Sequence, residues 1–134
     1  MKKFNSICII DDDPITVFGM RKMLDSLVTF NTIHTFVNGK LAIDAIKEIM
    51  ATNQKIPEVI FLDINMPIMD GWQFLEEFIT LPIEHKIRVN IITSSIDSND
   101  EKNWLSFKNK THHTITYNNK PIGKKEINQI ITAV

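Results

Sequence analysis

Thiol chemistry is nearly absent from this chain. Its one cysteine, Cys8, lies inside the apolar run Ile7-Cys8-Ile9-Ile10. A lone thiol cannot close an internal disulfide, so Cys8 reads as a buried structural side chain in a cytoplasmic protein. Net charge is also scarce. A formal charge of −1 lacks the basic surface that nucleic-acid binding needs, and no direct DNA binding is expected. No apolar run approaches the length of a membrane span, which argues against membrane insertion. The basic opening Met1-Lys2-Lys3-Phe4-Asn5-Ser6 precedes an apolar run of only four residues, cut off by Asp11-Asp12-Asp13, and that excludes a signal peptide. Repeats, low-complexity tracts and linkers are missing too. A length of 134 residues, 43% hydrophobic and 23% charged, suits one soluble domain with a proper core and not two. Residues 1–134 are therefore expected to form a single domain with no output domain. The initiating Met1 and the full set of elements favour a free-standing protein.

What the chain does contain is an alternation of apolar strands and amphipathic helices. Ile7 to Ile10 reads as a buried strand, and Pro14 suits the first turn of the helix that follows. Val17, Met20, Leu24 and Leu27 recur at helical spacing with Phe18 beside them, giving a helix from about Pro14 to Leu27. Thr32 to Phe36 is a short strand, and Asn38-Gly39 turns into a second helix carrying Ala42, Ile46, Ile49 and Met50. Val59-Ile60-Phe61-Leu62, apolar on both faces, suits a strand buried inside a sheet. Pro67 ends that strand region and Asp70-Gly71 turns the chain into a third helix with Phe74, Leu75 and Phe78 on its apolar face. Arg88 to Ile92 is a fourth strand. Ser98 with Glu101 matches a capping box that opens a fourth helix through Trp104, Leu105 and Phe107. Those last three span too wide an arc for all to be buried, so an aromatic is expected at the surface. Thr114 to Tyr117 is a fifth strand, and Ile127, Ile130, Ile131 and Val134 mark a fifth helix. The pattern is α/β: a doubly wound, five-stranded parallel sheet with five helices.

Polar residues gather at the strand ends. Asp11, Asp12 and Asp13 follow the first strand, Asp63 the third, Thr93 the fourth and Lys120 the fifth. A parallel sheet brings all of these to one edge, where open α/β sheets bind ligands. Crowded carboxylates raise one another's pKa, and a hard cation such as Mg²⁺, which takes oxygen ligands, relieves the repulsion. A carboxylate nucleophile, a metal, a lysine and a hydroxyl donor make a phosphoryl-transfer site. Asp63 would attack phosphorus to give an acyl phosphate, with Lys120 and Thr93 on the phosphoryl oxygens.

With these motifs the chain resembles the receiver domain of bacterial two-component response regulators, in its single-domain, chemotaxis-regulator-like form. The resemblance runs through Asp11-Asp12, Asp63-Ile64-Asn65-Met66-Pro67-Ile68-Met69-Asp70-Gly71, Thr93-Ser94 and Lys120-Pro121, and covers essentially the whole chain. It implies a flavodoxin-like receiver fold with strand order 2-1-3-4-5. Asp63 would be the phospho-acceptor, Asp12 a direct Mg²⁺ ligand, Asp11 a second acidic group acting through water, and Asn65 a ligand through its backbone carbonyl. Thr93 would be the switch hydroxyl, Lys120 the phosphate-pairing cation, Tyr117 the mobile aromatic, and Ser94 the small residue leaving room for phosphate. The side chains of Asn65 and Ser95 would border the path of a hydrolytic water. The implied role is a signalling phospho-acceptor, not an enzyme, in a two-component system or phosphorelay. The donor would be a sensor histidine kinase or a histidine phosphotransfer protein, the reader a downstream protein, and a phosphorylation-linked homodimer is compatible with the role.

Departures from the common pattern are Trp104 on the fourth helix, Asn109 to His113 in place of Gly-Ala, and the polar pair Asn118-Asn119. Two other functions stay open: a hydrolase of the haloacid dehalogenase type, with its nucleophile in the first strand at Asp11-x-Asp13, and an unphosphorylated interaction module. Plainer roles stand beside the sharp ones. Asp13 belongs to a turn, Asp70 to a turn or helix cap, and His34, His85, His112 and His113 are structural or exposed. Thr93, Lys120 and Tyr117 could each be an ordinary strand-end, surface or core residue.

Overall fold

The computed structural model describes residues 2–134. Met1, on which the free-standing reading leaned, lies outside them. Five strands alternate with five helices: β1 (Lys2–Ile10), α1 (Pro14–Leu27), β2 (Val28–Phe36), α2 (Gly39–Ala51), β3 (Val59–Leu62), α3 (Gly71–Phe78), β4 (Arg88–Thr93), α4 (Ser98–Lys108), β5 (Thr114–Asn119) and α5 (Lys124–Thr132). The strands form one parallel sheet in the order β2-β1-β3-β4-β5, as expected. No helix among the described residues is long and apolar enough to cross a membrane.

Alternation along the strands builds two cores, one on each face. Cys8, Ile10, Ile60, Leu62, Val89 and Ile91 point to the side covered by α2, α3 and α4, where Ile43, Ile46, Phe74, Phe78 and Phe107 meet them. Ile7, Ile9, Val59 and Phe61 point to the other side, against Met20 and Leu24 of α1 and Ile127 and Ile131 of α5. A strand's period of two sends successive residues to opposite layers, so a strand covered on both faces must be apolar throughout. Cys8 is fully buried, and burial pushes its thiol pKa up.

Each helix start has a local cause. Asp13 caps α1, accepting from the Ile15 N–H, with Pro14 in the first turn. Asn38 caps α2 through the Leu41 N–H. Asp70 and Gln73 form a reciprocal capping box on α3. Asp13 and Asp70 thus take the plain roles expected of them. On α4 the expected Ser98–Glu101 box is replaced by a cap one residue earlier, where Asp97 accepts from the Asn99 N–H. Asp97 brings a negative charge to the positive end of the helix, which a serine hydroxyl cannot do.

Two strands are longer than their apolar runs. β1 starts at Lys2 instead of Ile7, and β2 at Val28 instead of Thr32. Lys2, Lys3 and Phe4 pair with Val28, Thr29 and Phe30, whereas β3 joins β1 only from Ile7 onward. The first two strands therefore overhang the sheet at the edge remote from the acidic residues. Beside the overhang is a recess lined by Lys3, Asn5, Asn53, Lys55 and Glu58.

Candidate functional site

The carboxyl ends of β1, β3, β4 and β5 converge on one edge. Main-chain bonds fix their relative height: Asp63 N–H donates to Ile10 O at 2.8 Å, Asp11 N–H to Phe36 O at 3.0 Å, and Lys120 N–H to Thr93 O at 2.8 Å. Gly71 locks the loop after Asp63 from below. Its N–H donates to Ile64 O at 2.8 Å, and a Cβ there would lie 2.5 Å from the Asp63 carbonyl oxygen. Only glycine lets α3 start so close to the β3 backbone.

On this frame Asp11, Asp12 and Asp63 each offer a carboxylate oxygen within 4.8 Å of the others. Lys120 Nζ lies 3.1 Å from Asp11 Oδ2 and 3.6 Å from Asp63 Oδ1. Asp11 and Asp63 are buried and Asp12 is exposed. Asp11 Oδ1 also accepts from the Asp13 N–H at 2.9 Å, and Asp63 Oδ1 from the Ile64 N–H at 2.9 Å. Burial, then the charge of Asp11, pushes the Asp63 carboxyl up to about 6 against the pull of Lys120. Burial also acts on Lys120, but the Asp11 hydrogen bond and the charges of Asp11, Asp63 and Asp13 prevail and hold its pKa up. One ammonium does not neutralise three carboxylates. An all-oxygen donor set with surplus negative charge suits a hard divalent cation.

The other residues singled out in the sequence spread around this centre. Thr93 is fully buried at the end of β4, and its Oγ1 accepts from the Ser95 N–H at 3.1 Å. Ser94 beside it is exposed, as is Asn65, two residues beyond Asp63 in the β3–α3 loop. Tyr117 on β5 is half-buried, with its ring stacked on Trp104 at 5.6 Å and 24°. Trp104 in turn donates through Nε1 to Ile115 O at 2.7 Å, and Lys108 Nζ sits 5.1 Å from its ring. The wide arc on α4 is real: Leu105 is the most exposed of the three, at 46%, and the Trp104 ring reaches the surface in part. Phe107 is buried and Trp104 half-covered. The reason is that β5 offers Trp104 both a carbonyl acceptor and a ring to stack on. His113 is buried, and its Nδ1 accepts from the Ile87 N–H at 2.9 Å. That bond needs a neutral ring, and burial, then the neighbouring His112, drives the His113 pKa down to about 4.

Some features carried no sequence signal. Ser95 was expected beside the water path, but its Oγ donates to Asp100 Oδ2, while Asp100 Oδ1 accepts from Trp72 Nε1 at 3.0 Å. Ile68 has a φ of 71°, in the left-handed region, and is 80% exposed. A β-branched side chain there is strained, and nothing in its local pattern announces the strain. The Gly71 approach was legible only as a turn.

A family model described as the response regulator receiver domain matches residues 7–132. Among similar proteins, a protein-glutamate methylesterase/protein-glutamine glutaminase of Treponema pallidum is 33% identical over 98 residues, 72% of this chain and 22% of its own length. The virulence-factor transcription regulator BvgA of Bordetella pertussis is 31% identical over 90 residues, 67% of this chain and 39% of its own. A further methylesterase, from Methanococcoides burtonii, is 41% identical over 63 residues, 16% of its length, so the chain spans well under two thirds of these relatives. A two-component response regulator from Cytophaga hutchinsonii has the same fold, with a TM-score of 0.79 at 25% identity, covering 98% of this chain and 97% of that one. The CheX-CheY-BeF3-Mg²⁺ complex from Borrelia burgdorferi matches with a TM-score of 0.76 at 24% identity, covering 96% and 87%.

Proposed function

Because the chain belongs to the response regulator receiver family, we propose that it is a phosphoryl-accepting signalling switch with Asp63 as the acceptor. The observation that carries this reading is the position of the Asp63 carboxylate, with Lys120 at 3.6 Å and the carboxylates of Asp11 and Asp12 alongside. The donor would be a phosphohistidine on a sensor histidine kinase or a histidine phosphotransfer protein. Asp63 Oδ attacks phosphorus, the P–N bond breaks, and the imidazole nitrogen leaves with the bonding pair. The product is an acyl phosphate on Asp63.

Asp11, Asp12 and Asp63, with the Asn65 carbonyl, would hold Mg²⁺, which when bound neutralises charge on the carboxylates and on the phosphoryl oxygens. Lys120 pairs with a second phosphoryl oxygen, and its attachment to Asp11 keeps it aimed at the site. Thr93 donates its hydroxyl to a third, and exposed Ser94 leaves that side open. Asp63 must be ionised to attack. A carboxyl held near 6 by burial and by Asp11 would be ionised over a wider pH range once a cation offsets the neighbouring charge. The chain acts as a phospho-acceptor, and its output is a changed protein-binding surface around Trp104 and Tyr117. The esterase activity named for longer relatives is not carried over, because this chain matches only 16% and 22% of their length. One sheet carrying every element supports reading residues 1–134 as a single receiver domain.

The test is incubation with acetyl phosphate and Mg²⁺, followed by intact-mass spectrometry. One added phosphoryl group is expected in the wild type and none in Asp63→Asn or in the presence of a chelator. Phosphate retained in Asp63→Asn but lost in Asp11→Asn would move the nucleophile to β1 and point to a dehalogenase-type hydrolase.

A further inference from the structure

Ser95, two residues beyond Thr93, is held from several sides. Ser95 N–H donates to Thr93 Oγ1 at 3.1 Å. Ser95 Oγ donates to Asp100 Oδ2 and accepts from the Asp97 N–H at 3.2 Å. Ser95 O accepts from Asn119 Nδ2 at 3.2 Å. Asp100 is the anchor of the set, because its second oxygen accepts from Trp72 Nε1 at 3.0 Å. Trp72 is the second residue of α3 and stacks on Phe107 of α4 at 5.8 Å and 6°. A single half-buried carboxylate on α4 therefore ties the β4–α4 loop to the helix that begins behind Asp63.

Movement of Thr93 Oγ1 toward a phosphoryl group on Asp63 must break the Ser95 N–H bond or drag Ser95 with it. In the second case the Ser95–Asp100 bond breaks instead. We propose that Asp100 is a positioning residue that holds Thr93 in the unswitched arrangement through Ser95, so that its carboxylate opposes the phosphorylated state. This rests on the switch reading given above and deepens it. Asp100 touches neither Asp63 nor a phosphoryl group. It acts by setting the cost of moving Thr93, and a ligand that favours the moved state binds more weakly by that cost.

The probe is beryllofluoride with Mg²⁺, which mimics the phosphoryl group on a carboxylate, and bound beryllofluoride is read by its ¹⁹F resonance. Asp100→Ala should lower the half-saturating concentration about fivefold, the factor that the net worth of one hydrogen bond corresponds to. Ser95→Ala should do the same, and the Ser95→Ala/Asp100→Ala pair should add nothing further, because both remove one interaction. Asp97→Ala weakens the cap of α4 without freeing Ser95 Oγ from Asp100, and should leave the affinity unchanged. Unchanged or weaker binding in Asp100→Ala overturns the proposal, as does an equal gain in Asp97→Ala, which would trace the effect to a loosened helix. A wild type that shows no bound resonance defeats the switch reading itself. Binding in the wild type with no response to Asp100 defeats the positioning role alone.

Discussion

Replacing Asp63 by asparagine should stabilise the protein in the absence of metal, and the size of the gain can be worked from the site. The Asp63 carboxyl is raised from an ordinary 3.8 to about 6, by burial first and by the charge of Asp11 second. Between those values the folded chain holds a proton that the unfolded chain has released. Stability is therefore fully present below pH 3.8 and is lost as pH rises through about 6. A shift of about two units is worth about 3 kcal/mol above that range, at 1.36 kcal/mol per unit. The attraction of Lys120 is already contained in that net shift, so Asp63→Asn recovers all of it. Lys120 keeps its partner, Asp11, and the new amide oxygen can still accept from the Ile64 N–H. The net gain expected at pH 7.5 in EDTA is about 3 kcal/mol. At roughly 2.1 cal/mol/K per residue, a 134-residue chain would melt about 11 °C higher. Urea unfolding of both proteins across pH 4 to 8 measures the difference, which should approach zero near pH 4. Mg²⁺ should narrow the gap at pH 7.5. A variant no more stable than wild type at pH 7.5, or a difference that ignores pH, would refute the account of a carboxylate held against its solvation and its neighbours.

Ile68→Asn should gain about 1 kcal/mol by urea unfolding, since asparagine tolerates a φ of 71° and the 80%-exposed isoleucine gives up little burial; a loss would show that the loop needs the isoleucine. His113→Ala leaves the buried Ile87 N–H without its acceptor and should cost about 2–3 kcal/mol at pH 7.5. With the His113 pKa lowered from 6.5 to about 4, wild-type stability is present above 6.5 and falls as pH drops toward 4, because the unfolded chain takes up the proton first. The variant should lack that slope, and an identical pH profile would clear His113 of the effect. Tyr117→Ala and Trp104→Ala should accept phosphate normally yet lose any phosphate-dependent gain in partner binding or self-association, measured on phosphorylated protein. If both keep the gain, the output lies on another face.

The strands that are apolar on both faces were legible because burial leaves no room for polar residues, and so was the edge where Asp11, Asp63, Thr93 and Lys120 meet. Once the sheet is parallel, strand-end residues have nowhere else to go. Lys2 to Phe4 escaped because their pairing with Val28 to Phe30 is dictated by a neighbouring strand and not by their own polarity. Asp97 took the cap from Ser98 because two residues with similar capping tendency stood side by side, and charge decided between them. The bond from Asp100 to Ser95 and Trp72 joins residues 5 and 28 positions away. No periodicity links such groups, and only the crossing of α3 and α4 brings them together. The partial cover of Trp104 left no local signal for a similar reason, since it comes from Ile115 and Tyr117 on β5.

The overhang of β1 and β2 has a bearing on strand-to-strand contact between two copies of the chain. Over Lys2 to Asn5 the first strand has β2 on one side and, among the described residues, no strand on the other, so part of its backbone faces outward like an unfinished ladder. An open ladder invites a strand from a second molecule, the first step toward a fibril. Here the invitation is withdrawn locally. Glu58 fills the first place with its own carboxylate, accepting from the Asn5 N–H at 2.5 Å. Lys2 reaches across to the Val134 carbonyl, and Lys3 lines the recess beside the strand. Two ammonium groups on so short a stretch would have to be stripped of water for any strand to stack there. Charges so placed disfavour strand addition at the end of the sheet opposite the carboxylate cluster.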